Sequence, residues 1–143
     1  MTTAGVGSAE PAGHGLDPVE GIHRVFAAFG GGDARALFEV IHEDAVWVVN
    51  GTVPVAQRYE GRERIFDLFR ETRRLTDGTY FSELRWALAD GDHAVAVYRA
   101  TGRRLGRELD IDQVLLIRHR DGRWLEIVAV PTDPPEFERF WAD

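Results

Sequence analysis

Residues 107–133, RELDIDQVLLIRHRDGRWLEIVAVPTD, decide the fold. Two runs of alternating apolar and polar residues flank Asp121-Gly122. An Asp-Gly pair in that setting marks a two-residue hairpin loop, because both turn residues must reach positive φ. With those two residues as the loop, Leu116 is expected opposite Ile127, Val114 opposite Ala129, and Asp112 opposite Pro131. The face so formed carries Asp110 and Asp112 among apolar neighbours, and carboxylates in that position read as the wall of a ligand site.

The same count extends outward. A turn at Leu105-Gly106 pairs Arg103 with Glu108, Thr101 with Asp110, Arg99 with Asp112 and Val97 with Val114. A turn at Asp90-Gly91 adds Tyr80, Ser82, Leu84 and Trp86 to that face. It grades from apolar to polar, as a pocket does from floor to mouth. The opposite face, with Tyr98, Ala100, Ile111, Gln113, Leu115 and Ile117, is too apolar for free solvent. A second copy of the chain is the expected cover.

Ahead of the strands the apolar period is near 3.6. Asp17-Pro18-Val19-Glu20 starts a helix that runs to Gly30, and Asp33 caps a second with Leu37, Phe38, Val40 and Ile41 as its stripe. A turn is expected at Glu43-Asp44, a short strand at 45–49, a loop or lid at 50–60, and a third helix from Gly61 to Leu75. Strands then span roughly 79–89, 93–103, 108–119 and 123–131. Asp133-Pro134-Pro135-Glu136 opens a short final helix, with Asp133 as its cap. Helices first and an antiparallel meander after them make the chain α+β, one domain over 17–143. Residues 1–16, small, polar and rich in glycine and proline, read as a disordered tail.

Composition removes several chemistries. The formal charge is −7, with the bases dispersed, which argues against a nucleic-acid partner. Neither cysteine nor lysine occurs, so thiolate, sulfur-ligated zinc and Schiff-base chemistry are absent. The two serines, Ser8 and Ser82, lack a nucleophile elbow. His23, His42, His93 and His119 show no metal-ligand spacing, so neither metal nor cofactor is expected. No apolar run is long enough for a membrane helix and no signal peptide is visible, so the expected location is cytoplasmic.

The stretches GGDARALFEVIHEDAVWVVNG, YEGRERIFDLF, DGDHAVAVYRATGR and RHRDGRWLEI resemble the nuclear transport factor 2-like superfamily, in particular its SnoaL-like and ketosteroid isomerase-like members. The resemblance spans residues 17–142. It implies a cone-shaped barrel: a strongly curved, mostly antiparallel sheet packed on three N-terminal helices, with a short C-terminal helix and a hydrophobic pocket between them. It also implies frequent dimerisation through the outer sheet face. Ketosteroid isomerase-like catalytic positions fall on Val49, on Val25 or Phe26, and on Val114, all apolar. A limonene epoxide hydrolase-like arginine falls on Arg99, while its two aspartate positions hold Thr101 and Ala129. A SnoaL-like acid falls nearest Asp133.

The expected catalytic pair is Asp112 as acid/base with Arg99 as its orienter, although a plain cross-strand ion pair is the competing reading. Trp47, Asn50, Tyr80, Trp86, Thr101, Asp110, Val114 and Ala129 are the expected ligand-binding residues. The leading function is cofactor-independent proton transfer on a small, apolar, oxygenated metabolite, as a cyclase, isomerase or dehydratase. A noncatalytic ligand-binding or dimeric interaction module and an epoxide hydrolase are the alternatives.

Overall fold

The computed structural model describes residues 15–143; the tail expectation otherwise falls outside the described residues. Helix α1 (Pro18–Phe29) is capped by Asp17, whose carboxylate accepts from the amides of Val19 at 2.9 Å and Glu20 at 3.3 Å. Then come α2 (Arg35–Val40), β1 (Ile41–Val49), β2 (Arg58–Glu60) and α3 (Arg62–Leu75). Strands β3 (Phe81–Asp90), β4 (His93–Arg104), β5 (Arg107–Arg120) and β6 (Arg123–Pro131) follow, and α4 (Pro134–Trp141) closes the chain. Asp133 caps α4 through the Glu136 amide.

The strands form one curved, open sheet in the order β2-β1-β6-β5-β4-β3. Only β1 and β6 run parallel. Among the described residues the outer edges of β2 and β3 are unpaired, so the barrel is not closed. Two elements depart from expectation. Ile41 to Asp44 belong to a strand with a register shift instead of a helix end and turn. The expected loop at 50–60 also contains β2, which pairs Tyr59 with Trp47.

The β4–β5 register matches the cross-strand count at every pair, from Arg103↔Glu108 through Arg99↔Asp112 to Val97↔Val114. The neighbouring hairpins each carry one extra residue. Asp121 and Gly122 do form the β5–β6 turn, at φ 53° and 83°, and His119 pairs with Trp124. Leu125 then bulges, so Leu116 meets Val128 and Leu115 meets Ala129. The β3–β4 turn falls at Gly91-Asp92, with Asp90 opposite His93, one residue past the expected Asp90-Gly91. Arg85 is an extra residue on β3: Trp86 keeps its expected face, beside Val97, whereas Leu84 and Ser82 move to the face of Tyr98 and Ala100.

These bulges bear on which face is inside. The helices cover Leu109, Ile111, Leu115, Ile117, Ile127 and Ala129, all buried, while Leu116 is 50% exposed. The expected assignment is therefore inverted: the face with Arg99 and Asp112 is the outer one. Aliphatic content decides the matter, since the face with most Ile and Leu gains most by leaving water.

Leu16 closes one end of this core. Its amide donates to the Asp121 carbonyl at 2.7 Å, and a Cβ on Gly122 would collide with the Leu16 backbone. Beneath that contact His119 is buried, its Nδ1 accepting from the Gly122 amide at 3.1 Å and its Nε2 left unpartnered among the described residues. Burial holds its pKa below the ordinary value, outweighing nearby Asp92 and Asp121; His93 pushes the same way as burial. A histidine titrating lower when folded than when unfolded stabilises fully above about pH 6.5, and that contribution is lost as pH falls toward the folded value. The urea midpoint is therefore expected to fall between pH 7 and pH 5, and to fall less in His119→Gln. Equal slopes in the two proteins would remove His119 from the account.

Candidate functional site

The inner sheet face, α1, α3 and α4 enclose a cavity of about 200 Å³. Its walls are mostly aromatic and aliphatic: Phe29, Trp47, Leu68, Phe69, Leu115, Phe137 and Trp141 all line it. Helical spacing places Leu68, Phe69 and Thr72 on one side of α3, and strand alternation places Trp47 and Val49 on the inner side of β1. Edge-on packing of Trp47 on Phe69, with ring centres 5.3 Å apart, fixes one wall. The loop after β1 shuts down over the site: Val53 and Val55 are buried, and Thr52 bonds to Glu138 on α4 through its amide at 3.0 Å and its hydroxyl. Those two bonds hold the Glu138 carboxyl below its ordinary pKa.

The sheet contributes one polar strip to this lining, and α3 adds Thr72 and Arg73. Tyr98 and Gln113 are Cα partners on β4 and β5, and the Gln113 amide donates to the Tyr98 hydroxyl at 2.7 Å. The phenolic oxygen thus serves as acceptor there, and its own proton remains to be donated elsewhere. Tyr80, Ser82 and Thr72 add hydroxyls to the same cavity. Burial raises both phenol pKa values, that of Tyr98 strongly and with a further contribution from Tyr80. Both phenols therefore stay protonated at neutral pH, each with a proton to donate. Among the described residues no Asp, Glu or His lines the cavity, and Arg73 is its one formally charged residue.

Of the expected ligand-binding residues, the fold brings Trp47, Tyr80 and Ala129 to the cavity. The others are corrected. Trp86, Thr101, Asp110 and Val114 lie on the outer face, because they share the row alternation of Arg99 and Asp112. Asn50 is exposed beyond the end of β1, its amide donating to the Ala129 carbonyl. Asp112 and Arg99 are register partners yet not an ion pair. Arg99 grips Asp110 with two bonds of 2.8 and 2.7 Å, while Arg85, re-aimed by the β3 bulge, reaches Asp112 at 2.7 Å. The Arg99 guanidinium holds the Asp110 carboxyl low. Neither member of the expected catalytic pair faces the cavity, so acid/base work by Asp112, or water held between the pair to open an epoxide, has no place there.

The residues missed, Tyr98 and Gln113, were within reach of the count: a turn at Leu105-Gly106 pairs them as surely as it pairs Arg99 with Asp112. The choice of face hid them. Among the described residues no group of three or more His, Asp or Glu side chains is placed to hold a metal, and no helix is long and apolar enough to cross a membrane.

Comparison with known proteins places these features in context. The family model of the SnoaL-like domain matches residues 22–127. The uncharacterized protein Rv0034 of Mycobacterium tuberculosis is 30% identical over 122 residues, covering 85% of this chain and 93% of that protein. Bal32a, from a soil-derived mobile gene cassette, superposes with a TM-score of 0.81 at 30% identity, covering 85% of this chain and 94% of its own. IdmH of Streptomyces antibioticus, a candidate polyketide cyclase, shares the fold at TM-score 0.70 and 21% identity, over 87% of this chain and 98% of its own.

Proposed function

Because the chain belongs to the SnoaL-like domain family, we propose that its cavity binds a small, largely apolar molecule through one carbonyl or hydroxyl oxygen and polarises that oxygen with Tyr98 and Tyr80. The observation that carries this reading is the buried Gln113–Tyr98 bond, which positions a protonated phenol in a largely aromatic and aliphatic cavity. Two neutral donors on a carbonyl oxygen stabilise the charge that develops there on enolisation or ring closure, the electrophilic half of cyclase or isomerase chemistry. Size sets a limit. A cavity of about 150 Å³ accepts benzene, so about 200 Å³ suits one substituted ring or a compact bicycle.

Noncatalytic binding is the second reading, favoured by the lack of any carboxylate or imidazole in the lining. The two separate experimentally with 2-tetralone. Quenching of tryptophan fluorescence on titration is expected, since Trp47 and Trp141 line the cavity. Tyr98→Phe removes one hydrogen bond and weakens binding about fivefold. Exchange of the α-protons in deuterium oxide, followed by NMR, is accelerated by the wild type and not by Tyr98→Phe if the site is catalytic. Binding without accelerated exchange supports the carrier reading, and the absence of any binding sinks both.

The same proposal includes a homodimer through the outer face. Trp86, Val97, Val114 and Val130 form one cross-strand row, and Leu88, Val95, Leu116 and Val128 the next. Trp86, Leu88 and Leu116 are 49%, 61% and 50% exposed, an apolar stripe of the kind that marks interfaces.

A further inference from the structure

We propose that the molecule this cavity takes is an anion: a small carboxylic acid whose ring enters the aromatic interior, whose second oxygen reaches Tyr98, and whose carboxylate meets Arg73 at the mouth. The inference rests on the cavity reading above and names its ligand class.

Arg73 sits in the last turn of α3, exposed, and also lines the cavity. Its neighbours are already matched, Arg70 with Asp67 at 2.5 Å and Arg74 with Glu71 at 2.6 Å. Among the described residues Arg73 has no acidic partner, in a chain whose acids outnumber its bases 24 to 17. An arginine left unmatched amid surplus carboxylates, beside a cavity lined by no acid, is complementary to a negative group brought in by the ligand. The end of α3 could by itself favour a cation there through the helix dipole. Arg74 already supplies that, and it does so while paired.

Chemistry narrows the anion further. One guanidinium forks a carboxylate and balances its single charge, whereas a phosphate monoester, at about −2, would be left half uncompensated by it. Deeper in the cavity the walls of Phe29, Leu68 and Leu115 offer a charge no hydrogen bond, and the hydroxyls of Tyr80 and Tyr98 are neutral donors that leave it without a counter-ion. The charged end must therefore stay at the rim and the apolar ring go inside. The protonated phenols do not repel such a ligand. The surrounding net charge of −7 gives Arg73 a second use, as the local attraction that lets an anion approach an acidic protein.

The test compares 4-oxo-4-phenylbutanoate with its primary amide, which keeps ring, ketone and size and lacks the charge. Both are titrated by calorimetry and tryptophan fluorescence against the wild type, Arg73→Gln and Arg73→Lys, with circular dichroism as a check on folding. The acid is expected to bind the wild type roughly tenfold more tightly than the amide, a preference that shrinks as salt is added. Arg73→Gln should erase the preference by lowering acid affinity about tenfold and amide affinity far less; Arg73→Lys should retain part of it. Equal affinity for acid and amide in the wild type, or a preference that survives Arg73→Gln, overturns the assignment while leaving the cavity reading intact. Binding of neither compound overturns both.

Discussion

Trp124→Ala is expected to lower the melting temperature by roughly 10 to 20 °C, corresponding to about 3–5 kcal/mol of lost stability. Trp124 is 1% exposed, pairs with His119 across the β5–β6 hairpin and lies beside Ile41 of β1, so one side chain ties three strands together. Its ring centre is 6.2 Å from that of Trp47, which lines the cavity, so the void left by truncation also loosens the cavity wall. A domain of this size is stable by about 5–15 kcal/mol in total, so the variant loses a large share. The matched control is the pair Leu115→Ala and Leu116→Ala, measured by urea denaturation. Leu115 is buried on the inner face and Leu116 half exposed on the outer, so the first costs about 2–5 kcal/mol and the second, in the monomer, far less. The reverse ranking would mean that the two sheet faces have been assigned the wrong way round.

That same pair of leucines shows how far the sequence carries the fold. Adjacent in the chain, they differ only in which side of the sheet they reach, and nothing in their identity says which. The turn at Leu105-Gly106, with both residues at positive φ, has no bulge after it, so every β4–β5 pair was legible by subtraction alone. Helix starts were legible for the same local reason: Asp17 and Asp133 cap where a cap is written. Counting failed where one residue was added without a local mark. Arg85 and Leu125 are ordinary strand residues, and their bulges arise because the sheet must bend around the helices. Tyr80 and Ser82 changed faces for that reason.

The candidate site was half legible. Trp47, Tyr80 and Ala129 do line the cavity, whereas Tyr98 and Gln113 were paired by the count and set on the outer side. Carboxylates drew attention to Asp112 because charged groups carry most known acid/base chemistry. In this chain they serve as a border. Arg99–Asp110 and Arg85–Asp112 lie on one side of the outer apolar stripe, and Arg118–Glu126 on the other.

That border gives the second large prediction. Leu116→Asp is expected to weaken self-association of the chain by at least about a hundredfold, read by sedimentation velocity across micromolar concentrations. Leu116 lies within the stripe, beside Val95 and Val128, and a two-fold arrangement of two copies brings each substitution into the interface twice. The new carboxylate would meet apolar rows from the partner, with Arg118 and Arg99 already engaged by Glu126 and Asp110. It would therefore be desolvated without a cation to answer it. A half-exposed position loses little when the monomer folds with aspartate there, so the variant should keep its circular dichroism spectrum and its affinity for cavity ligands. Wild-type protein that sediments as a monomer at tens of micromolar, or a variant that dimerises as well as the wild type, would show that the stripe is not the interface. Separation of the two readouts is the stronger half of the prediction, because the stripe and the cavity occupy opposite faces of one sheet. Only a change carried through the sheet itself could link them, and such a link would appear as a shift in ligand affinity on dilution of the wild type.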